Sequence, residues 1–91
     1  MDFEWDAAKS AKNLRERGLP FDAGMALFDG PTLEARDGRL DYGETRIKAI
    51  GIVYAVVLVC VYSDRGEARR IISLRVASRK ERNAYRAAYP G

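Results

Sequence analysis

Five stretches of the chain have the apolar patterns of β-strands. They cover residues 3–5, 32–36, 45–51, 55–62 and 68–76. Residues 55–62 are apolar on both faces, which is typical of a strand in the centre of a sheet. A Ser-Asp-Arg-Gly sequence at residues 63–66 predicts a hairpin between the last two strands. Residues 37–43 are mainly polar and predict a connection.

Three other stretches carry helical signals. Asp6 is suited to cap a helix that continues to about Arg17, and Gly18 is suited to end it. In residues 20–28, aromatic and Met side chains recur at i, i+4 and i+7, which predicts a second, short helix. Residues 78–81 read Ser-Arg-Lys-Glu, a capping box that opens a third helix.

The order of these elements is β-α-α-β-β-β-β-α. We predict an α+β fold, with a small antiparallel sheet, two N-terminal helices and one C-terminal helix. The chain has 91 residues, which is enough for one domain and too few for two, so the prediction is a single domain over residues 1–91.

The composition excludes several classes of site. The chain has no histidine and one cysteine, Cys60, which excludes His-based zinc sites, His general bases and an internal disulfide. We expect no metal and no cofactor, and we expect Cys60 to be an inert core residue. No apolar run approaches the roughly 18–20 residues that span a bilayer, and the acidic N-terminus lacks a signal-peptide pattern. The expectation is a cytoplasmic protein without a membrane partner.

Charge is distributed unevenly along the chain. Residues 1–45 carry six Lys and Arg against ten Asp and Glu, whereas residues 46–91 carry ten against three. Twelve of the sixteen basic residues are Arg, whose planar guanidinium suits phosphate groups. The second half therefore indicates binding to RNA or another polyanion, and an ordinary solvated face is the alternative.

The last predicted strand helps to locate this binding surface. Strict alternation puts Arg69, Ser73 and Arg75 on one face, opposite the predicted core face. Arg46 and Lys48 share one face of an earlier strand. If these faces coincide, one sheet surface carries several cations, and the helix stripe that begins with Arg79 lies near its rim.

Such a surface can support RNA cleavage without metal or histidine. The 2′-OH attacks its own phosphate in line, and Arg side chains hold the phosphate and neutralise the transition state. Proton transfer needs another group, and the candidates are Glu44, Lys48 and Tyr62. Each candidate also has a structural alternative: Glu44 can pair with Arg46, Lys48 can be solvated, and Tyr62 can pack at a strand end.

Three groups of residues carry a family resemblance. The first is Phe3-Glu4-Trp5-Asp6 with Lys9, Asn13, Gly18, Phe21, Phe28-Asp29 and Pro31. The second is Gly43-Glu44-Thr45-Arg46 with Ile50-Gly51, Val61-Tyr62-Ser63 and Arg65. The third is Arg70-Ile71-Ile72-Ser73-Leu74-Arg75 with Ala77, Arg79, Glu81-Arg82 and Tyr85. In this combination, which covers nearly the whole chain, the sequence resembles the BrnT toxin family.

The resemblance implies a RelE-like ribonuclease fold and toxicity through RNA cleavage that inhibits translation. It also implies a BrnA-like, ribbon-helix-helix antitoxin, which neutralises the toxin and contacts operator DNA on behalf of the pair. Two departures stand out: family members commonly carry Lys-His where this chain has Glu16-Arg17, and they are often apolar at Lys48.

Together, the residue pattern and the resemblance predict two sets of site residues. The predicted catalytic residues are Arg46, Arg75, Arg79 and Glu44. The predicted RNA-binding residues are Lys48, Arg65, Arg69, Arg70, Arg82 and Tyr62. Two other functions stay open at this point: a non-catalytic nucleic-acid-binding or antitoxin-docking module, and an adaptor whose Arg-rich half binds an acidic protein.

Overall fold

A computed structural model describes residues 1–38 and 43–91. Its elements are β1 (Asp2–Glu4), α1 (Ala7–Arg17), a 3-10 helix (Phe21–Asp29), β2 (Leu33–Arg36), β3 (Ile47–Val53), β4 (Val56–Arg65), β5 (Ala68–Val76) and α2 (Arg79–Ala88). The α+β class and the predicted order of elements are confirmed. Residues 39–42 of the predicted polar connection lie outside the described residues.

The five strands form one mixed sheet in the order β1-β5-β4-β3-β2, which confirms the central position of β4. The predicted purely antiparallel sheet is wrong, because β1 runs parallel to β5. Its three residues pair with residues 68–70, far along the chain, so no hairpin fixes their direction. A three-residue alternation predicts a strand but carries no information about its partner.

The two α-helices have the predicted capping residues. Asp6 accepts a hydrogen bond from the Lys9 N–H at 3.0 Å, and Gly18 ends α1 with a left-handed φ of 72°. At α2, the Ser78 side chain and the Glu81 side chain cap each other's backbone N–H groups. In each cap the donor and the acceptor lie three or four residues apart, which is why the sequence alone identified them.

The second predicted helix is a 3-10 helix and not an α-helix. Phe21, Gly24 and Leu27 are its buried residues, at the spacing of three that a 3-10 helix places on one side. Gly24 permits close approach to the sheet, since a Cβ there would lie 3.2 Å from Ile71 Cδ1. The i, i+4, i+7 pattern missed this period, and it included Met25, which is exposed.

The helices are distributed around the sheet and do not all lie against one face of it. One face packs against the 3-10 helix, and the core between them contains the buried residues Phe21, Leu27, Ala49, Leu58, Cys60, Tyr62, Ile71 and Leu74. The other face packs against α2, and the core between them contains the buried residues Ile50, Val57, Val59, Ala77 and Tyr85. Helix α1 lies beside β5, where the Asn13 amide donates to the Leu74 carbonyl at 2.8 Å. Among residues 1–38 and 43–91, no helix has the length and apolarity needed to cross a membrane.

A bulge in β5 changes which side chains share a face. Val61 pairs with Ser73 but Tyr62 pairs with Ile71, so Ile72 is an extra residue on β5. Strict alternation fails at this point. Ser73 and Arg75 therefore share a face with Arg70, whereas Arg69 faces the 3-10 helix, contrary to the prediction that put Arg69 with Arg75.

Candidate nucleic-acid interface

Within the described parts of the chain, five cations lie on the sheet face that carries α2. Pairing across the strands aligns Lys48 with Val61, Arg70 with Ser63 and Arg75 with Val59. Arg46 and Arg65 follow by alternation from Lys48 and Ser63. We call Arg46, Lys48, Arg65, Arg70 and Arg75 the basic face.

The carboxylate of Glu81 joins two of these cations. Arg75 donates to both of its oxygens, at 2.7 and 2.8 Å, and the Lys48 ammonium contacts Oε2. Oε1 also accepts the Ser78 N–H at 2.9 Å. The Arg75 hydrogen bonds outweigh the opposing effect of burial and, together with Lys48 and Ser78, hold the pKa of Glu81 far below its ordinary value. Glu81 thus stays ionised and orients Arg75 and Lys48.

Glu44 forms a second cluster on the same face. Its Oε2 accepts from Arg65 Nη2 at 3.1 Å and lies 3.3 Å from Ser63 Oγ, while its Oε1 lies 3.6 Å from Arg46 Nε. Desolvation raises the pKa of Glu44, but the hydrogen bonds from Arg65 and Ser63 and the nearby cations outweigh it, so the net shift is downward. In this state Glu44 is a weak proton acceptor that orients Arg65 and Arg46.

The remaining cation, Arg70, donates to Glu4 at 3.0 Å. Next to it is a small pocket of about 130 Å³, lined by Asp6, Lys9, Glu44, Arg46, Arg65, Arg70, Ile71 and Ile72. Four of these lining residues are cations and two are carboxylates. The pocket is therefore suited to an anionic group such as a phosphate.

A larger, open groove of about 610 Å³ lies between the sheet and α2. Its lining residues are Lys48, Ile50, Arg75, Ser78, Lys80, Glu81 and Ala84. The groove opens the Glu81 cluster to solvent, so a phosphate that enters it can reach Arg75 and Lys48. The basic face has five cations against the three carboxylates Glu4, Glu44 and Glu81, and its local charge is thus positive.

Two predicted RNA-binding residues lie on the opposite face. Arg69 pairs with Asp64 through two hydrogen bonds, at 2.8 and 3.1 Å, and its guanidinium carbon lies 3.9 Å from the centre of the Tyr62 ring. Tyr62 is buried, and its hydroxyl donates to Glu34. Desolvation and this hydrogen bond raise the pKa of the Tyr62 hydroxyl. Neither residue shares a face with Arg75.

Arg79 and Arg82 are exposed on α2. At 100° per residue, Arg79 lies about 160° and Arg82 about 100° around the helix axis from Glu81. They therefore do not join the Glu81 cluster. Arg17, at the position where the resemblance leads one to expect histidine, is exposed in the last turn of α1.

Sequence reasoning missed Glu81, Ser63 and Glu4 as members of the site. Glu81 had a complete local explanation as a capping-box residue, so no signal pointed to its contacts with Lys48 and Arg75. Glu4 meets Arg70 only because β1 pairs with β5. Cys60 is fully buried, and burial raises its thiol pKa to about 12. In the described parts of the chain, no three His, Cys, Asp or Glu side chains form a group suited to hold a metal ion.

The sequence also matches a known protein family. A family model described as "Ribonuclease toxin, BrnT, of type II toxin-antitoxin system" matches residues 5–81. A comparison with curated proteins gave no match. The matched range includes Arg46, Arg75 and Glu81, and with them both carboxylate-centred clusters of the basic face.

Proposed function

This chain belongs to the BrnT family, the ribonuclease toxins of type II toxin-antitoxin systems, and we propose that its basic face binds and cleaves RNA without a metal ion. The observation that supports this most is the convergence of four Arg and one Lys on one sheet face, with Arg75 and Lys48 oriented by one carboxylate. Oriented cations stabilise a developing phosphorane charge without first reorganising, which is how such sites accelerate phosphoryl chemistry.

In the proposed reaction the 2′-oxygen forms a bond to phosphorus and the bond from phosphorus to the 5′-oxygen breaks. The products are a 2′,3′-cyclic phosphate and a 5′-hydroxyl. Arg75 and Arg46 neutralise the non-bridging oxygens, and Lys48 gives a proton to the leaving 5′-oxygen. Arg46 and Lys48 are two residues apart on one strand face, about 7 Å, so these two long side chains can reach the same phosphate group.

Glu44 is the proposed acceptor of the 2′-OH proton. Its weak basicity in the free protein arises from its contacts with Arg65 and Ser63. A substrate phosphate that takes Arg65 as its partner removes this stabilisation, so the carboxylate becomes more basic as substrate binds. Of the remaining predicted residues, Arg70, Arg79 and Arg82 bind flanking phosphates in this proposal, whereas Arg69 and Tyr62 lie on the opposite face.

Membership of a type II system implies a protein antitoxin. We propose a BrnA-like, ribbon-helix-helix antitoxin with an acidic surface that covers the basic face, because the same contact then neutralises the cations and excludes RNA. In this proposal the toxin acts in the cytoplasm and inhibits translation, and operator DNA is contacted only by the antitoxin.

Growth arrest on induction of the isolated chain tests the proposal. Arg75→Ala should abolish growth arrest, while Arg15→Ala, which removes an exposed Arg of α1, should retain it. Circular dichroism should show both variants folded. If Arg75→Ala still arrests growth, Arg75 has no catalytic role. If the native chain binds RNA on a filter but neither cleaves it nor arrests growth, the chain is a non-catalytic binding module.

A further inference from the structure

A second pocket, on the sheet face opposite the basic face, combines aromatic and charged side chains. It has a volume of about 380 Å³, which lies in the range of small-molecule sites. We call it the aromatic pocket and define it by Phe3, Phe28, Thr32, Glu34 and Arg69; the exposed carboxylate of Asp29 also lines it. Phe3 and Phe28 stack with ring centres 5.7 Å apart and form an apolar wall.

The carboxylate at one end of this pocket is held in place. Glu34 accepts hydrogen bonds from two neutral hydroxyls, that of Tyr62 and that of Thr32, the latter at 2.6 Å. Each of these bonds uses a different oxygen, and each oxygen retains a lone pair. Glu34 itself is exposed, so its free lone pairs can accept donors from a ligand.

The guanidinium of Arg69 is also held in place. Two hydrogen bonds to Asp64 fix its Nε and Nη2 atoms, and contacts with the rings of Tyr62 and Phe28, at 3.9 and 4.8 Å, fix its plane. Its Nη1 atom is not used in the bonds to Asp64. The pocket therefore presents an acceptor, a donor and an aromatic wall with little freedom to lose on binding.

This combination matches a guanine base. Guanine carries two adjacent N–H donors, at N1 and N2, which suit a carboxylate, and acceptors at O6 and N7, which suit an Arg. An aromatic wall stacks against any base. Adenine presents an acceptor at N1 and would oppose the Glu34 carboxylate. A cationic side chain of a partner protein would suit Glu34 and Asp29, and its binding is therefore compared directly in the test below.

We propose that the aromatic pocket binds a guanine base of the RNA substrate and thereby selects where the RNA is cut. The inference rests on the proposed function, because it takes RNA as the substrate of the basic face. The two sites are adjacent along the strands: Arg69 faces the pocket and Arg70 the basic face, and Tyr62 and Ser63 differ in the same way. A strand of RNA that passes around this end of the sheet can contact both.

Binding of mononucleotides to the purified chain tests the pocket without requiring cleavage. Titration calorimetry with 3′-GMP, 3′-IMP and 3′-AMP should give dissociation constants that increase in this order. Since one bidentate base contact discriminates by about 1–3 kcal/mol, GMP should bind at least about fivefold more tightly than AMP. Inosine lacks the 2-amino group, so IMP should lie between the two.

Variants assign the preference to Glu34. Glu34→Gln should reduce the ratio of AMP to GMP dissociation constants to about one, while Glu16→Gln, an exposed residue of α1, should leave it unchanged. A thermal melt checks that both variants are folded. Where Glu34→Gln does not fold, Arg69→Lys provides the same test, because Lys cannot reproduce the flat guanidinium.

The outcomes separate this inference from the proposed function. Three results would overturn the pocket assignment. They are equal affinity for GMP and AMP, a guanine preference that survives both Glu34→Gln and Arg69→Lys, and tighter binding of N-acetyl-arginine amide than of GMP. Cleavage of RNA by the native chain is measured separately. GMP binding that Glu34→Gln abolishes supports the pocket even if no RNA is cleaved, and in that case the proposed function fails alone.

Discussion

The contacts of Glu81 allow one substitution to be analysed in detail. Glu81→Gln keeps the shape of the side chain and removes its charge. The native Glu81 side chain is 12% exposed. Its carboxylate accepts two hydrogen bonds from Arg75, contacts Lys48 and accepts the Ser78 N–H. The amide of Gln retains one acceptor oxygen, so about half of these interactions lose their acceptor and the two cations lose their counter-ion.

The expected loss of stability is moderate. Hydrogen bonds to charged groups contribute about 1.5–3 kcal/mol when they are shielded from water. The Arg75 and Lys48 side chains are 38% and 36% exposed, so solvent screening reduces each ion pair to about 1 kcal/mol or less. We expect Glu81→Gln to lower the free energy of unfolding by about 1–2 kcal/mol, which is several degrees in the melting temperature of a domain of this size.

The substitution should have different effects on RNA affinity and on the rate of cleavage. RNA affinity should be equal or higher, because the basic face gains one unit of positive charge. The single-turnover rate of cleavage should fall by about tenfold or more, because Arg75 and Lys48 lose the group that orients them. Glu67→Gln is the matched control, since it makes the same charge change on the exposed β4–β5 turn and should preserve both stability and rate.

Urea unfolding, RNA filter binding and single-turnover cleavage measure the three quantities. A variant as stable as the native chain would mean that the Glu81 contacts contribute nothing net. A native cleavage rate in Glu81→Gln would show that the orientation of Arg75 and Lys48 is irrelevant, which contradicts the proposed mechanism.

Two other predictions concern the fold and its dependence on pH. Gly51→Ala should destabilise the protein by about 1–3 kcal/mol through overpacking, because a Cβ there would lie 2.7 Å from Leu27 Cγ. Gly30→Ala is the control, since a Cβ there enters open space and should change stability little. Urea titration measures both variants. Glu44 and Glu81 both have lowered pKa values in the folded state. Their contribution to the free energy of unfolding is therefore present above the ordinary Glu pKa of about 4.5 and is lost as the pH falls from there towards the lowered values. The urea midpoint should therefore drop on acidification below about pH 5, and a midpoint that does not change there would contradict both assignments.

Local signals explain the parts of the fold that the sequence predicts well. The Asp6 cap, Gly18 and the 78–81 capping box each act within a few residues, and all three occur as predicted. The bounds 68–76 of β5 are also correct, because the apolar pattern and the turn before it are both local. The predicted bounds of other strands differ from the observed ones by one to three residues, as at β3 and β4. Side chains on both faces of these strands are buried, so the apolar pattern does not show where the strands end.

Long-range pairing accounts for what the sequence could not predict. The extra residue Ile72 is decided by how β5 aligns with β4, and it reverses the face of Arg69 relative to Arg75. The contact between Glu4 and Arg70 depends on the parallel pairing of β1, which no local pattern specifies. Sequence reasoning therefore identified all five cations of the basic face and the carboxylate of Glu44. It missed Glu4 and Glu81, the other two carboxylates that orient those cations.

The products of RNA cleavage in the presence of EDTA test the central claim most directly. The account predicts that the purified native chain, with no divalent cation, produces fragments that end in a 2′,3′-cyclic phosphate and begin with a 5′-hydroxyl. It predicts that Arg75→Ala produces none of them while remaining folded. Activity that EDTA abolishes and magnesium or manganese restores, or fragments with 5′-phosphate ends, would contradict a metal-free attack by the 2′-oxygen on the basic face.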